Sequence, residues 1–272
     1  MEKPSFLACR RPLLVDMMLE ETPHALEERL RRGIYDGADA FGIQLERLRP
    51  EYRDEATLKG VFAYAEDRPL YVTNYRSGHN AAMSDEARMS ELELALRCGA
   101  TMLDLTGDTF AAPEPTEMTA DPAAIARQRA LIERWHGLGA EVLMSAHVLK
   151  FLPEERVVEI ALEQQARGAD VAKIVTYASD EEELAANMNT IRALKRELRI
   201  PFLLLANGPY CKPLRVFGPY FGVAMWLCVD TYDQFASRDQ PLLRAMASAV
   251  RNIDVTPNLR PGGDRNFEKN YD

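Results

Sequence analysis

Lys173 stands inside Val171-Ala172-Lys173-Ile174-Val175, a run of small and β-branched residues apolar enough for a strand buried on both faces. Burial disfavours an ammonium, and a strand has no need of that cost. A lysine at a strand's end, its head reaching solvent, would avoid it. A lysine kept neutral by burial would instead be a nucleophile toward a carbonyl. A second candidate, His147, closes the run Glu141-Val142-Leu143-Met144-Ser145-Ala146-His147. Alone it could be a core histidine bonded to a backbone carbonyl. At similar depth on the neighbouring strand, it is the group of near-neutral pKa that imine chemistry needs to move protons.

Both runs belong to a recurring phrase, Gly-Ala, one polar residue, then an apolar stretch. It begins at Asp36 (DGADAFGIQL), Cys98 (CGATMLDL), Leu138 (LGAEVLMSA) and Arg167 (RGADVAKIV). The physical reading is a helix ended by glycine in the left-handed conformation, then a short turn into a strand. Helical spacing precedes each phrase, as in Ala25, Leu26, Leu30 and Ile34, or Val157, Ile160, Ala161 and Leu162. Ser84 and Asp121-Pro122 read as helix starts. The phrases recur about every 30 to 40 residues, or about twice that where one is missing, which is a βα repeat with a parallel sheet.

Filling the gaps predicts strands near 5–9, 40–45, 69–75, 100–105, 141–146, 170–176, 201–206 and 221–227. About eight units in 272 residues fit a single-domain (β/α)8 barrel over residues 1–253. A doubly wound open sheet is the alternative, but no G-x-G-x-x-G follows any strand. The seventh unit, NGPYCKPLRVFGPY, looks truncated, too rich in proline and glycine for a long helix. The polar residues 254–272 read as a loosely ordered tail or a cover for a neighbouring subunit.

Bulk properties narrow the function. A net charge of -9 without a basic patch argues against a nucleic-acid partner. An acidic chain that binds an anion must do so with a few placed arginines. Cys9, Cys98, Cys211 and Cys228 are scattered without a C-x-x-C pair, so free buried thiols in a reducing cytosol are expected. No signal-peptide order and no apolar run of spanning length occurs, so a cytoplasmic protein with no membrane partner is the expectation.

In such barrels the site lies at the C-terminal strand ends. Gln44 and Glu46 end strand two, and Arg76 ends strand three. Asp104, Thr106 and Asp108 end strand four, His147 ends strand five, and Lys173 lies on strand six. Arg215 falls in the loop before strand eight and Gln240 after that strand. Each has a plainer role: surface ion pairs for the arginines, a loop cap or neighbour pairing for Asp104. His79 reads as an exposed loop residue, and His24 and His136 as surface positions. A metal site would want clustered histidines, and only one of four ends a strand. A serine hydrolase lacks its G-x-S-x-G elbow.

The stretch from Glu141 to Leu184 resembles the core of the type I 3-dehydroquinate dehydratases. It matches at Ser145, His147, Pro153 and Gly168 through Ile174. Arg76 after YVTNY is similar to that family's Thr-x-Arg strand end. NGPYCKPLRVFGPYFG is similar to its Met-Gly … Ser-Arg … Gly-x-x-Phe-Gly segment, with Gly208, Arg215, Gly218, Phe221 and Gly222 in register. Gln240 falls where the family's Ser-Ala-Pro-Gly-Gln loop ends. The resemblance implies a (β/α)8 barrel with no cofactor and no metal, in the shikimate pathway of aromatic amino acid biosynthesis. It implies that Lys173 forms an imine with the substrate ketone, and that His147 removes the adjacent proton and then protonates the departing hydroxyl. Arg215 and Gln240 would hold the substrate carboxylate, with Arg76, Thr106 and Gln44 as further substrate contacts. A homodimer is open to such a chain.

Departures from the family cluster on one function. Gly42, Gln44 and Glu46 replace its Glu-x-Arg-x-Asp on strand two, and Thr106 replaces the strand-four glutamate. SGHN replaces Glu-Gly-Gly, Ala236 replaces a carboxylate-binding serine, and Val223 and Trp226 replace small or polar residues. The imine pair and the carboxylate grip survive, while the groups that would read ring hydroxyls are mostly gone. The reading is therefore a Schiff-base lyase acting on a small oxo-carboxylate, converting 3-dehydroquinate to 3-dehydroshikimate. The alternatives are a lyase or aldolase for another oxo acid, and an inactive carboxylate-binding barrel. An unpaired buried lysine argues against the last.

Overall fold

Eight parallel strands alternate with eight helices in the computed structural model, which describes residues 4–8, 12–112, 118–234 and 236–252. The strands are β1 (Leu13–Met18), β2 (Ala40–Gln44), β3 (Leu70–Thr73), β4 (Met102–Thr106), β5 (Glu141–His147), β6 (Val171–Tyr177), β7 (Phe202–Asn207) and β8 (Met225–Cys228). The helices are α1 (Pro23–Asp36), α2 (Glu55–Phe62), α3 (Asp85–Arg97), α4 (Pro122–Gly137), α5 (Glu154–Ala166), α6 (Glu181–Glu197), α7 (Cys211–Phe221) and α8 (Leu243–Asn252).

The sheet order is β7-β6-β5-β4-β3-β2-β1-β8, with β1 pairing both β2 and β8 in parallel. A single backbone bond from Ala224 to the Phe202 carbonyl, 2.9 Å, brings the start of β8 to β7. The sheet is thus a nearly closed (β/α)8 barrel. Its strands are buried almost throughout because helices cover the outer face and side chains fill the inner one. No helix among the described residues is long and apolar enough to cross a membrane.

The Gly-Ala phrases fold as their chemistry dictates. Gly37, Gly99, Gly139 and Gly168 follow α1, α3, α4 and α5 with φ of 96°, 120°, 80° and 104°, a region that penalises any side chain. The Ser84 hydroxyl accepts the Ala87 N–H at 3.2 Å, and the Asp121 carboxylate accepts the Ala123 N–H at 2.7 Å. Both helix starts are therefore capped as their residue types require.

Two expectations are corrected. The first strand is Leu13–Met18, not residues 5–9. The earlier segment instead folds across the foot of the barrel: Phe6 is buried, and the N–H groups of Phe6 and Leu7 donate to the Glu141 carboxylate at the start of β5. Asp16 interrupts the apolar pattern of Leu13-Leu14-Val15-Asp16-Met17-Met18 and hides the true strand. The seventh unit does carry a helix of 11 residues, α7. Pro213 lies in its first turn, where a missing N–H costs nothing, and Gly222 ends it at φ 136°. Arg215 consequently sits on a helix rather than in a loop. Cys98, Cys211 and Cys228 are buried free thiols. Cys9 and the tail 254–272 lie outside the described residues.

Candidate active site

Register places the candidate groups. Ser145 pairs with Lys173 across β5 and β6, and Thr106 pairs with Ser145 across β4 and β5. Strand alternation then sends Asp104, Ser145, His147, Lys173 and Val175 to the barrel interior. The Lys173 peptide is clamped from outside by Gln164 of α5. Its amide oxygen accepts the Lys173 N–H and its amide nitrogen donates to the Lys173 carbonyl, both at 3.1 Å. The side chain is therefore aimed from a strand held on both sides.

Lys173 is 4% exposed and is not alone. Its Nζ donates to the hydroxyls of Tyr75 at 2.7 Å and Tyr71 at 3.0 Å, and lies 3.2 Å from Asp104 Oδ2. Tyr71 and Tyr75 donate in turn to Asp104 Oδ2, the latter at 2.6 Å, and Ser145 donates to Oδ1 at 2.5 Å. The sequence-based expectation of an unpaired lysine is corrected: Asp104 lies beside it as an ion-pair partner. Burial alone would raise the Asp104 pKa, but the Lys173 charge, His147 and the hydroxyls of Ser145 and Tyr71 outweigh it and pull it below the ordinary carboxylate value.

His147 lies at the end of β5, half-buried, its ring edge-on to Tyr75 with centroids 4.9 Å apart. Burial and the charge of Lys173 push its pKa down to about 3, against an opposing pull from Asp104. The imidazole is thus neutral across the physiological range, the form that can accept a proton.

A cavity of about 330 Å³ joins these groups. Tyr75, His147, Lys173, Gln44, Arg215 and Gln240 all face it. Arg215, on α7, is fixed by its Nε donating to the Ala206 carbonyl at 2.8 Å and its Nη2 donating to Asn207 Oδ1 at 2.9 Å. Burial lowers its pKa from the usual guanidinium value. The apolar part of the wall is Met17, Leu149, Val175, Leu205 and Leu227. Among the described residues the lining has two cationic side chains and no carboxylate. Such a pocket in an acidic chain selects an anion.

Four further positions resolve differently. Arg76 donates to Asp85 Oδ2 at 2.6 Å and also pairs with Asp108, which occupies both carboxylates away from the cavity. Thr106 shares a hydrogen bond with Thr109 at 2.9 Å, and it too is absent from the lining. Glu46 is fully buried, accepts from the Thr73 hydroxyl at 2.9 Å, and has its pKa raised by burial to about 7. At Gly42 the cavity side is filled by Met17: a Cβ there would stand 2.2 Å from the Met17 sulfur.

Tyr71 and Tyr75 were not singled out from the sequence, and Asp104, noted at the end of strand four, was read there as a loop cap or the partner of a neighbour. The signal was alternation: Tyr71, Thr73 and Tyr75 share one parity on and beyond β3, and Arg76 has the other. Counted from Thr73, the Thr-x-Arg spacing lands on Tyr75. His79 is exposed, and His136 pairs with Asp170 at 2.8 Å on the surface. Among the described residues no group of three or more His, Cys, Asp or Glu side chains is placed to hold a metal ion.

The model of the type I 3-dehydroquinase family matches residues 17–257. A 3-dehydroquinate dehydratase of Albidiferax ferrireducens is 24% identical over 177 residues, 64% of this chain and 62% of that protein. One from Alkaliphilus oremlandii is 32% identical over 94 residues, 34% of this chain and 37% of that protein. The matches thus span less than two thirds of either relative. The crystal structure of 3-dehydroquinate dehydratase from Geobacillus kaustophilus superposes with a TM-score of 0.74 at 16% identity, covering 90% of this chain and 93% of that one. At that identity the likeness is one of fold.

Proposed function

The chain belongs to the type I 3-dehydroquinase family, and from that membership we propose that it is a Schiff-base lyase that dehydrates 3-dehydroquinate to 3-dehydroshikimate. The observation that carries the proposal is the joint facing of Lys173, His147 and Arg215 onto one cavity. Lys173 Nζ attacks the ketone carbon and expels its oxygen as water. The resulting iminium is an electron sink and acidifies the neighbouring C–H. His147, held neutral, takes that proton and returns it to the departing hydroxyl, which leaves as water; a water molecule then hydrolyses the product iminium, restoring the ketone and freeing Lys173. Arg215 offers a fork suited to a carboxylate, and Gln240 faces the same cavity. A homodimeric, cytoplasmic enzyme is part of the same proposal, and sedimentation of the purified chain tests the first half.

A second reading within the class is favoured by one observation. Met17 fills the space at Gly42 where the family has a strand-two glutamate, and the lining lacks any carboxylate among the described residues. A site without those acceptors discriminates poorly for ring hydroxyls, so the substrate would be an oxo acid with fewer of them. Following the absorbance of the enone product decides between the two. Turnover of 3-dehydroquinate far below that of an ordinary family member supports the second reading, and ordinary efficiency overturns it.

A further inference from the structure

Among the described residues three groups touch the Lys173 amine: Tyr71, Tyr75 and Asp104. Of the three, Tyr75 alone also faces the cavity. Its hydroxyl is the nearest of them to Nζ, at 2.7 Å, and stands 2.6 Å from Asp104 Oδ2. Its ring is braced edge-on against His147. Just before it, the Thr73 hydroxyl is anchored on buried Glu46, which holds the strand end that carries it.

Imine formation has a proton problem that this hydroxyl answers. An ammonium and a ketone become an iminium and water. The C–N bond forms, the C–O bond breaks, and two protons must pass from nitrogen to the departing oxygen. No net proton is gained or lost, and no other reactant is needed. The carbonyl oxygen is two bonds from Nζ once attack has begun, so a hydroxyl in hydrogen-bond contact with Nζ on the cavity side is within reach of both atoms.

We propose that Tyr75 is a catalytic residue for imine formation and hydrolysis, shuttling both protons between Lys173 Nζ and the ketone oxygen. This rests on the imine reading given above. In each transfer the phenol accepts an N–H proton as it gives its own to oxygen, and it ends as it began. Asp104 stays a carboxylate: it accepts the phenol proton in a hydrogen bond between transfers, and the phenol turns that one proton from Asp104 Oδ2 to the ketone oxygen in each transfer. Burial and the Asp104 charge keep the Tyr75 pKa well above its ordinary value, so the hydroxyl begins every cycle as a donor. Tyr71 touches the same amine from behind, off the cavity, and serves the ion pair alone.

The test uses formaldehyde with cyanoborohydride, which traps an imine on any reactive amine and needs no particular substrate. Peptide mass spectrometry reads the rate at Lys173, with exposed Lys150 and Lys59 as internal standards. Tyr75→Phe keeps the ring against His147 and removes the hydroxyl. The rate at Lys173 is expected to fall by about tenfold or more, with the standards unchanged and thermal unfolding near that of the wild type. Tyr71→Phe is the matched control and is expected to stay within about threefold of the wild type, because it also loses one hydroxyl of the ion pair but none on the cavity. Wild-type rates in Tyr75→Phe would overturn the shuttle and leave the imine reading standing. Equal losses in the two variants would also overturn it, since the hydroxyls would then act only by holding the ion pair. A wild-type Lys173 that forms no imine at all would overturn both.

Discussion

Two buried aspartates on barrel strands have opposite fates. Asp104 on β4 and Asp16 on β1 are 2% and 1% exposed. Asp104 points into the barrel and accepts from two tyrosines, a serine and a lysine. Asp16 has the other parity: its neighbour Met17 faces the cavity, while its own carboxylate lies against α1, where a Cβ on Gly33 would come within 2.7 Å of it. Neither of its oxygens has a hydrogen-bond partner among the described residues. Its pKa is raised well above the usual value by burial and by Asp230, with Arg29 opposing. A satisfied buried charge organises a site, while an unsatisfied one escapes its cost by taking a proton. The inner face of this barrel is built for charge and the seam under α1 is not.

The inner face breaks most severely. Asp104→Ala strands the Lys173 charge, and losing one partner of a buried pair costs about 3–5 kcal/mol; chemical denaturation should show that loss. His147→Ala should lower turnover by roughly 10²–10⁴-fold while trapping of the imine persists. With the native histidine held at about 3, the acid limb of kcat/KM, which reports the free enzyme, should lie well below that of an ordinary imidazole. A limb near the ordinary value would remove the electrostatic account of the site. Arg215→Ala should weaken oxo-acid binding about tenfold or more, as expected for one charge-assisted hydrogen bond. Calorimetry with the oxo acid measures it.

The seam gives the smallest effect, and one of opposite sign with pH. The folded pKa of Asp104 is depressed, so its contribution is present above the ordinary carboxylate pKa and is lost as pH falls through the folded value. That of Asp16 is raised, so its contribution is present below the ordinary value and is lost as pH rises through the folded one. Glu46, raised to about 7, acts in the same direction as Asp16. Asp16→Asn cannot ionise. It should therefore flatten the decline in thermal stability that Asp16 causes as pH rises above the ordinary carboxylate value. An unchanged slope would mean that Asp16 is not protonated in the fold.

Much of the inner face was legible in the sequence, because a charge inside an apolar strand has few structural excuses. Lys173 stood out on that ground and His147 by ending the neighbouring strand at similar depth, and the Gly-Ala turns located the strands that carry them. The same rule concealed β1, where Asp16 broke the pattern of a true strand. Tyr75 stayed hidden because an aromatic residue at a strand end reads as packing, and its hydroxyl matters only through partners on β4 and β6. Arg76 and Thr106 drew notice by residue type, but Arg76 has the outward parity and Thr106 spends its hydroxyl on Thr109. Arg215 drew notice as an arginine near the strand ends and took its carboxylate role from the family resemblance, while its helix was masked by two prolines that the fold tolerates.

The central claim is that the lysine beside Asp104 bonds covalently to a ketone. Borohydride reduction in the presence of 3-dehydroquinate and a panel of oxo acids, followed by intact-mass and peptide-mass measurement, tests it most directly. The account predicts one substrate-sized mass increment, mapped to the peptide carrying Lys173 and absent from Lys173→Ala. A wild-type protein that turns over substrate yet gains no mass, or gains it on another lysine, would contradict it.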